Sequence, residues 1–141
     1  MLLKKWIIVL LAIFILFSGC VSKQSEVTPD PSATPTLAAP FMVNATSYPV
    51  NVKGETNFTI KWEVSGAAGN ITHTAVHWGF RSGGQDVKDY GRFSKVYTGR
   101  IPQQFSAELI APESGPIYFR AHAMVDGKDV YTPEYSIAII P

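Results

Sequence analysis

Three histidines, His73, His77 and His122, are the residues of this chain best suited to hold a ligand. Neutral imidazole is the commonest protein ligand for transition metals. His73 and His77 fall in one run of alternating residues and His122 in another. By parity all three point away from the apolar face. Positions 73 and 77 lie about 13 Å apart along an extended strand. A metal holds ring nitrogens at about 2.1 Å, so this spacing predicts that one ion does not hold both. His122 with His77 remains as a two-ligand candidate, short of a closed site. A blue-copper centre needs a cysteine thiolate, and the chain's one cysteine, Cys20, has another use. The expectation is therefore no metal and no cofactor.

A second candidate lies in residues 86–100. Lys88, Arg92, Lys95 and Arg100 alternate there with Tyr90, Phe93 and Tyr97. Cations beside aromatic rings bind sugars, anions or proteins, which makes Tyr90, Arg92, Phe93 and Tyr97 a candidate ligand surface. Asp86 and Asp89 dilute the charge, and the segment reads first as a solvated edge strand and loop. Three Asn-x-Thr tripeptides, at Asn44, Asn57 and Asn70, are candidate glycan acceptors in an exported chain. Catalytic patterns are missing: there is no GxSxG, HExxH, P-loop or GxGxxG. The Gly83-Gly84 pair reads as a turn. The chain is expected not to be an enzyme.

Cys20 sits where a distinct chemistry is expected. Lys4 and Lys5 precede an unbroken apolar run from Trp6 to Phe17. Twelve helical residues reach about 18 Å, short of a ~30 Å hydrocarbon core. A short apolar stretch behind a positive start reads as a signal peptide. The run ends in Phe17-Ser18-Gly19-Cys20. This resembles the lipobox of prokaryotic lipoproteins, with Phe17 where Leu is commonest. The resemblance implies a signal peptide over 1–19, cleavage between Gly19 and Cys20, and diacylglyceryl modification of the Cys20 sulfur. The implied place is the extracytoplasmic face of the cell membrane, with a lipid anchor on Cys20. A second chain on the same residue would make anchoring stable.

Residues 20–40 read as a tether. Pro29, Pro31, Pro35 and Pro40 are interspersed with Ser and Thr, and Val27 and Leu37 are the only sizeable aliphatics from Ser22 onward. Such a stretch cannot bury enough surface to offset its ordering entropy. It spans about 60 Å extended or about 25 Å as a coil.

The elements that must position any site lie in residues 41–141. Fourteen of the chain's aromatic residues are there, and its nine Lys+Arg balance nine Asp+Glu. The hydrophobic period is two. Phe58, Ile60, Trp62 and Val64 alternate with polar residues; Val76, Trp78 and Phe80 with Ala75, His77 and Gly79; Phe105, Ala107 and Leu109 with Ser106 and Glu108; Ile117, Phe119, Ala121 and Ala123 with Tyr118, Arg120 and His122; and Tyr135, Ile137 and Ile139 with Ser136 and Ala138. Tyr48, Val50 and Val52 do the same more weakly. Asp126-Gly127 supplies the positive φ angles of a type I′ turn, so 117–125 and 128–140 should form a hairpin. Pro133 then fits an edge or a bulge. About seven short strands predict an all-β sandwich. Trp62, the Leu109–Pro112 turn and the Tyr118-Phe119-Arg120-Ala121-His122-Ala123 run resemble fibronectin type III and related Ig-like modules. That resemblance implies an antiparallel β-sandwich in which the third and sixth strands are neighbours.

The net charge of only +1 gives no bulk-charge argument for a nucleic-acid or polyanion binder, and no nucleic-acid partner is expected. One cysteine excludes a disulfide framework and a Cys-rich zinc site. The leading expectation is a membrane-anchored surface lipoprotein displaying a binding or adhesion module, with an envelope protein or glycan as partner. Next comes a non-catalytic accessory subunit of a cell-envelope complex, and last a surface metal carrier or enzyme.

Overall fold

A computed structural model of the protein describes residues 37–83 and 86–141. The signal peptide, the lipobox ending at Cys20, most of the tether and Gly84 lie outside the described residues.

Period-two alternation produces what it predicts. Ten strands form among the described residues: β1 (Met42–Ser47), β2 (Asn51–Lys53), β3 (Asn57–Ser65), β4 (Asn70–Gly79), β5 (Arg92–Phe93), β6 (Tyr97–Arg100), β7 (Gln103–Ile110), β8 (Ile117–Val125), β9 (Lys128–Tyr131) and β10 (Tyr135–Ile140). A single 3-10 turn, Val87–Asp89, is begun by Asp86, whose carboxylate accepts from the Lys88 N–H. The strands make two sheets. One runs β1-β3-β7; the other runs β2-β10-β8-β4-β5, with β6 also on β4 and β9 also on β8. All pairings are antiparallel except β10 with β2.

The two sheets share one core. Phe58, Ile60, Trp62 and Val64 enter it from β3, and Ile117, Phe119, Ala121, Ala123 and Val125 from β8. Trp62 has no solvent exposure, and stacks on Phe105 with centroids 5.7 Å apart. Its indole N–H donates to Thr74 Oγ1 at 2.9 Å, and that hydroxyl donates onward to the His122 carbonyl at 2.7 Å. An indole N–H buried without a partner would be costly; here one hydroxyl satisfies it and ties β3 to the β4–β8 pair.

The predicted hairpin forms at Asp126-Gly127, where φ is 47° and 77°. β9 pairs with the far half of β8 and β10 with the near half. Between them, at Pro133, the ladder is interrupted. The Thr132 side chain fills the gap: its Oγ1 accepts from the Ala121 N–H at 3.0 Å.

Some sequence expectations are corrected. Val50 is 76% exposed and precedes β2 rather than lying in it. β4 stops at Gly79, so Phe80 leaves the inward row and is exposed. β1 was not expected; it pairs with β3 as an edge strand and buries only Val43 well.

Candidate metal centre

β4 and β8 pair along their whole length, so their outer faces form one surface. A β-bulge between Ile71 and His73 sets the facing: Ile71 goes into the core, whereas His73, Ala75 and His77 face out. On β8 the inward row is Ile117 to Val125 in steps of two, which leaves Tyr118, Arg120, His122 and Met124 facing out. His122 is the direct partner of Ala75, Met124 of His73 and Arg120 of His77. His122 therefore lies across the ladder from the midpoint between the other two histidines.

The three rings lie much closer together than the strand spacing suggests, although the expectation that one ion does not hold both His73 and His77 concerns an ion that the structure does not contain. A ring nitrogen from each of His73, His77 and His122 lies within 4.8 Å of the others. The ring centroids are 6.3 Å apart for His73–His77, 5.3 Å for His73–His122 and 5.5 Å for His77–His122. The 13 Å estimate measured the backbone, but an imidazole reaches several ångströms from its Cα. Ala75, between the two, offers only a methyl group, so both rings lean inward over it. Ala75 faces out and is nonetheless fully buried. Tetrahedral coordination at about 2.1 Å needs nitrogens about 3.4 Å apart, and those of the three rings lie within 4.8 Å of one another.

Two ring nitrogens of the cluster, His77 Nε2 and His122 Nδ1, are buried without a hydrogen-bond partner, as is Trp78 Nε1 in the core. A buried polar atom left unpaired is unusual and calls for an explanation. For His122 the cause is visible. Its Nε2 lies 2.7 Å from Asp129 Oδ1 on β9. In the neutral ring this places the proton on Nε2, donating to the carboxylate, and leaves the Nδ1 lone pair free. A carboxylate behind the imidazole is the usual arrangement behind a metal-ligating histidine. Tyr131 stacks on the His122 ring at 4.8 Å and 14°, and Phe93 lies 5.9 Å from His77. These rings wall the cluster on two sides, while half-buried His73 and His77 keep it open to solvent.

Burial, reinforced by His122 and His73, lowers the His77 pKa from its usual 6.5 to about 4. Burial also lowers that of His73, with His122 adding to the effect and Asp129 opposing it. Both rings are thus neutral near pH 7, the form a metal requires.

The sequence analysis paired His77 with His122; His73 is the third member. It missed Asp129 altogether. A signal was present: counting back from the Asp126-Gly127 turn places Asp129 opposite Met124, beside His122.

The chain matches no family model and no curated protein.

The other candidate residues disperse. Tyr90 is buried, and its hydroxyl bonds to Glu134 and to the Gly83 carbonyl at 3.3 Å. Glu134 also accepts from Ser82 Oγ at 2.6 Å and the Gly83 N–H at 2.9 Å. Burial, then the Glu134 hydrogen bond, pushes the Tyr90 pKa up to about 12. Arg92 lies over Trp78 and Phe80, at 5.0 and 4.7 Å. Phe93 flanks His77. Tyr97 turns the other way: it packs on Trp62 and Phe105 and donates to the Ser106 carbonyl at 2.8 Å. These four residues share no surface. Asn44, Asn57 and Asn70 are all exposed, although the Asn57 amide already donates to Glu108 at 2.6 Å.

Proposed function

We propose that this protein is a lipid-anchored lipoprotein of a prokaryotic cell surface whose Ig-like or fibronectin type III-like sandwich binds a transition-metal ion through His73, His77 and His122. The strand orders β1-β3-β7 and β10-β8-β4, with β3 and β8 facing across the core, support the module type. The lipobox ending at Cys20 and the Pro-rich tether support the anchoring.

The observation that carries the metal reading is the pair of buried, unpartnered nitrogens inside a three-histidine cluster. Trp78 Nε1 in the core is also unpartnered, so the support comes from the unpartnered nitrogens belonging to rings that lie together as a group of three. Three imidazoles suit zinc or copper. No catalytic role is proposed, and binding is the function.

The test is metal stoichiometry after equilibrium dialysis of the full-length protein in detergent. One zinc or copper ion per chain is expected for the wild type and none when His73, His77 and His122 are all changed to Gln. Equal retention by both proteins would overturn the reading.

A further inference from the structure

We propose that Met124 supplies a thioether to the three-histidine centre and that the ion the site selects is copper in its cuprous state. The proposal rests on the three-histidine reading above and names its ligand. Met124 is the direct cross-strand partner of His73 on the outer face, with His122 two positions along the same strand. Directly opposed Cβ atoms lie about 4.5–5.5 Å apart, within reach of an unbranched side chain with three rotatable bonds.

Its position has no role in the core. Every inward residue of β8 is Ile, Phe, Ala or Val, whereas the outward row is Tyr118, Arg120, His122 and Met124. Met124 is half-buried between His73 and the exposed Asp129. The other groups near the cluster have other engagements. Asp129 holds His122 Nε2, Tyr131 stacks flat on His122, and Phe93 has no donor atom.

The chemistry then discriminates between ions. A thioether is a soft, neutral donor that suits cuprous copper and adds little for zinc.

The experiment uses full-length protein in detergent under anaerobic, reducing conditions. Cu(I) affinity is read by competition with bicinchoninate, and Zn(II) affinity by competition with a chelating dye. Met124→Leu keeps side-chain volume, and a thermal melt of the metal-free variant verifies its fold. The expected result is Cu(I) binding weaker by about tenfold or more in Met124→Leu, with Zn(II) binding nearly unchanged. X-ray absorption should show a sulfur bound to copper in the wild type and not in the variant. Unchanged Cu(I) binding in Met124→Leu, or equal weakening of both metals, overturns the role of Met124 while leaving the histidine site standing. If neither ion binds the wild type, or both bind the triple histidine variant unchanged, the histidine reading fails and this proposal fails with it.

Discussion

The β4–β8 pair carries a closed hydrogen-bond chain on its inner face and a cluster of three imidazoles on its outer face, and buried unpartnered nitrogens occur on both, at Trp78 Nε1 inside and at His77 Nε2 and His122 Nδ1 outside. On the inner face, the Trp62 N–H meets Thr74 Oγ1, which in turn meets the His122 carbonyl. Both side-chain groups are buried and both are partnered. On the outer face of the same strands, His77 Nε2 and His122 Nδ1 are also buried and have no partner. An unpartnered nitrogen alone therefore does not mark a site, since Trp78 in the core has one too; what sets the histidines apart is that three of them lie together.

The largest effect should come from breaking the closed side. Trp62→Ala removes a fully buried indole and its bond to Thr74, and such truncations cost about 3–5 kcal/mol. Against a total of about 5–15 kcal/mol, denaturant titration should show a marginal or unfolded domain. Lys61→Ala, one position along β3 and exposed, should change stability by less than about 0.5 kcal/mol. Equal effects at the two positions would mean that the inner and outer faces are misassigned.

A smaller effect is expected at Glu134, a second closed network on the periphery. Glu134→Ala unties Ser82, Gly83 and Tyr90 together. The group is only half-buried, so the loss should be about 1 kcal/mol. Burial works to raise the Glu134 pKa, but the bonds from Ser82, Tyr90 and Gly83 and the charge of Arg120 bring it below the usual value. In the variant, amide exchange in residues 82–90 should quicken while metal binding stays unchanged. Lost metal binding would join two regions that the structure keeps separate.

A further effect is pH-dependent and belongs to the histidine face. His77 titrates near 4 in the folded protein and near 6.5 when unfolded. Its contribution to stability is fully present above about pH 6.5 and is lost as pH falls toward 4, because the unfolded chain binds the proton first. Metal-free protein should therefore lose stability over that window, and His77→Gln should lose less. An identical pH profile in the variant would show that burial of the His77 ring does not shape its titration.

Much of this was legible from residue order. Period two on β3, β7 and β8 located the core, because antiparallel strands with one solvated face must alternate. Asp126-Gly127 located the hairpin, because only such residues take two positive φ angles readily. β1 escaped because Met42-Val43-Asn44-Ala45 sends only one large apolar side chain inward. The histidine cluster was half legible. Parity placed all three histidines on one face, but strand rise gives Cα spacing and not nitrogen spacing. The decisive residue is the small one between them: His-x-Ala-x-His leaves room for two rings to converge, where a larger central side chain would hold them apart. Asp129 was legible only through the hairpin register that Asp126-Gly127 sets, and not through any pattern around the histidines.

The central claim is that the three-histidine cluster is a metal site, and a pair of thermal melts tests it most directly. Full-length wild type and the His73, His77, His122→Gln triple variant are melted with and without micromolar zinc or copper. A ligand that binds only the folded state, at 100 times its dissociation constant, adds about 2.7 kcal/mol. The account predicts a clear upward shift for the wild type and none for the triple variant, with similar melts for the two metal-free proteins. No shift in the wild type, or the same shift in both, would contradict it.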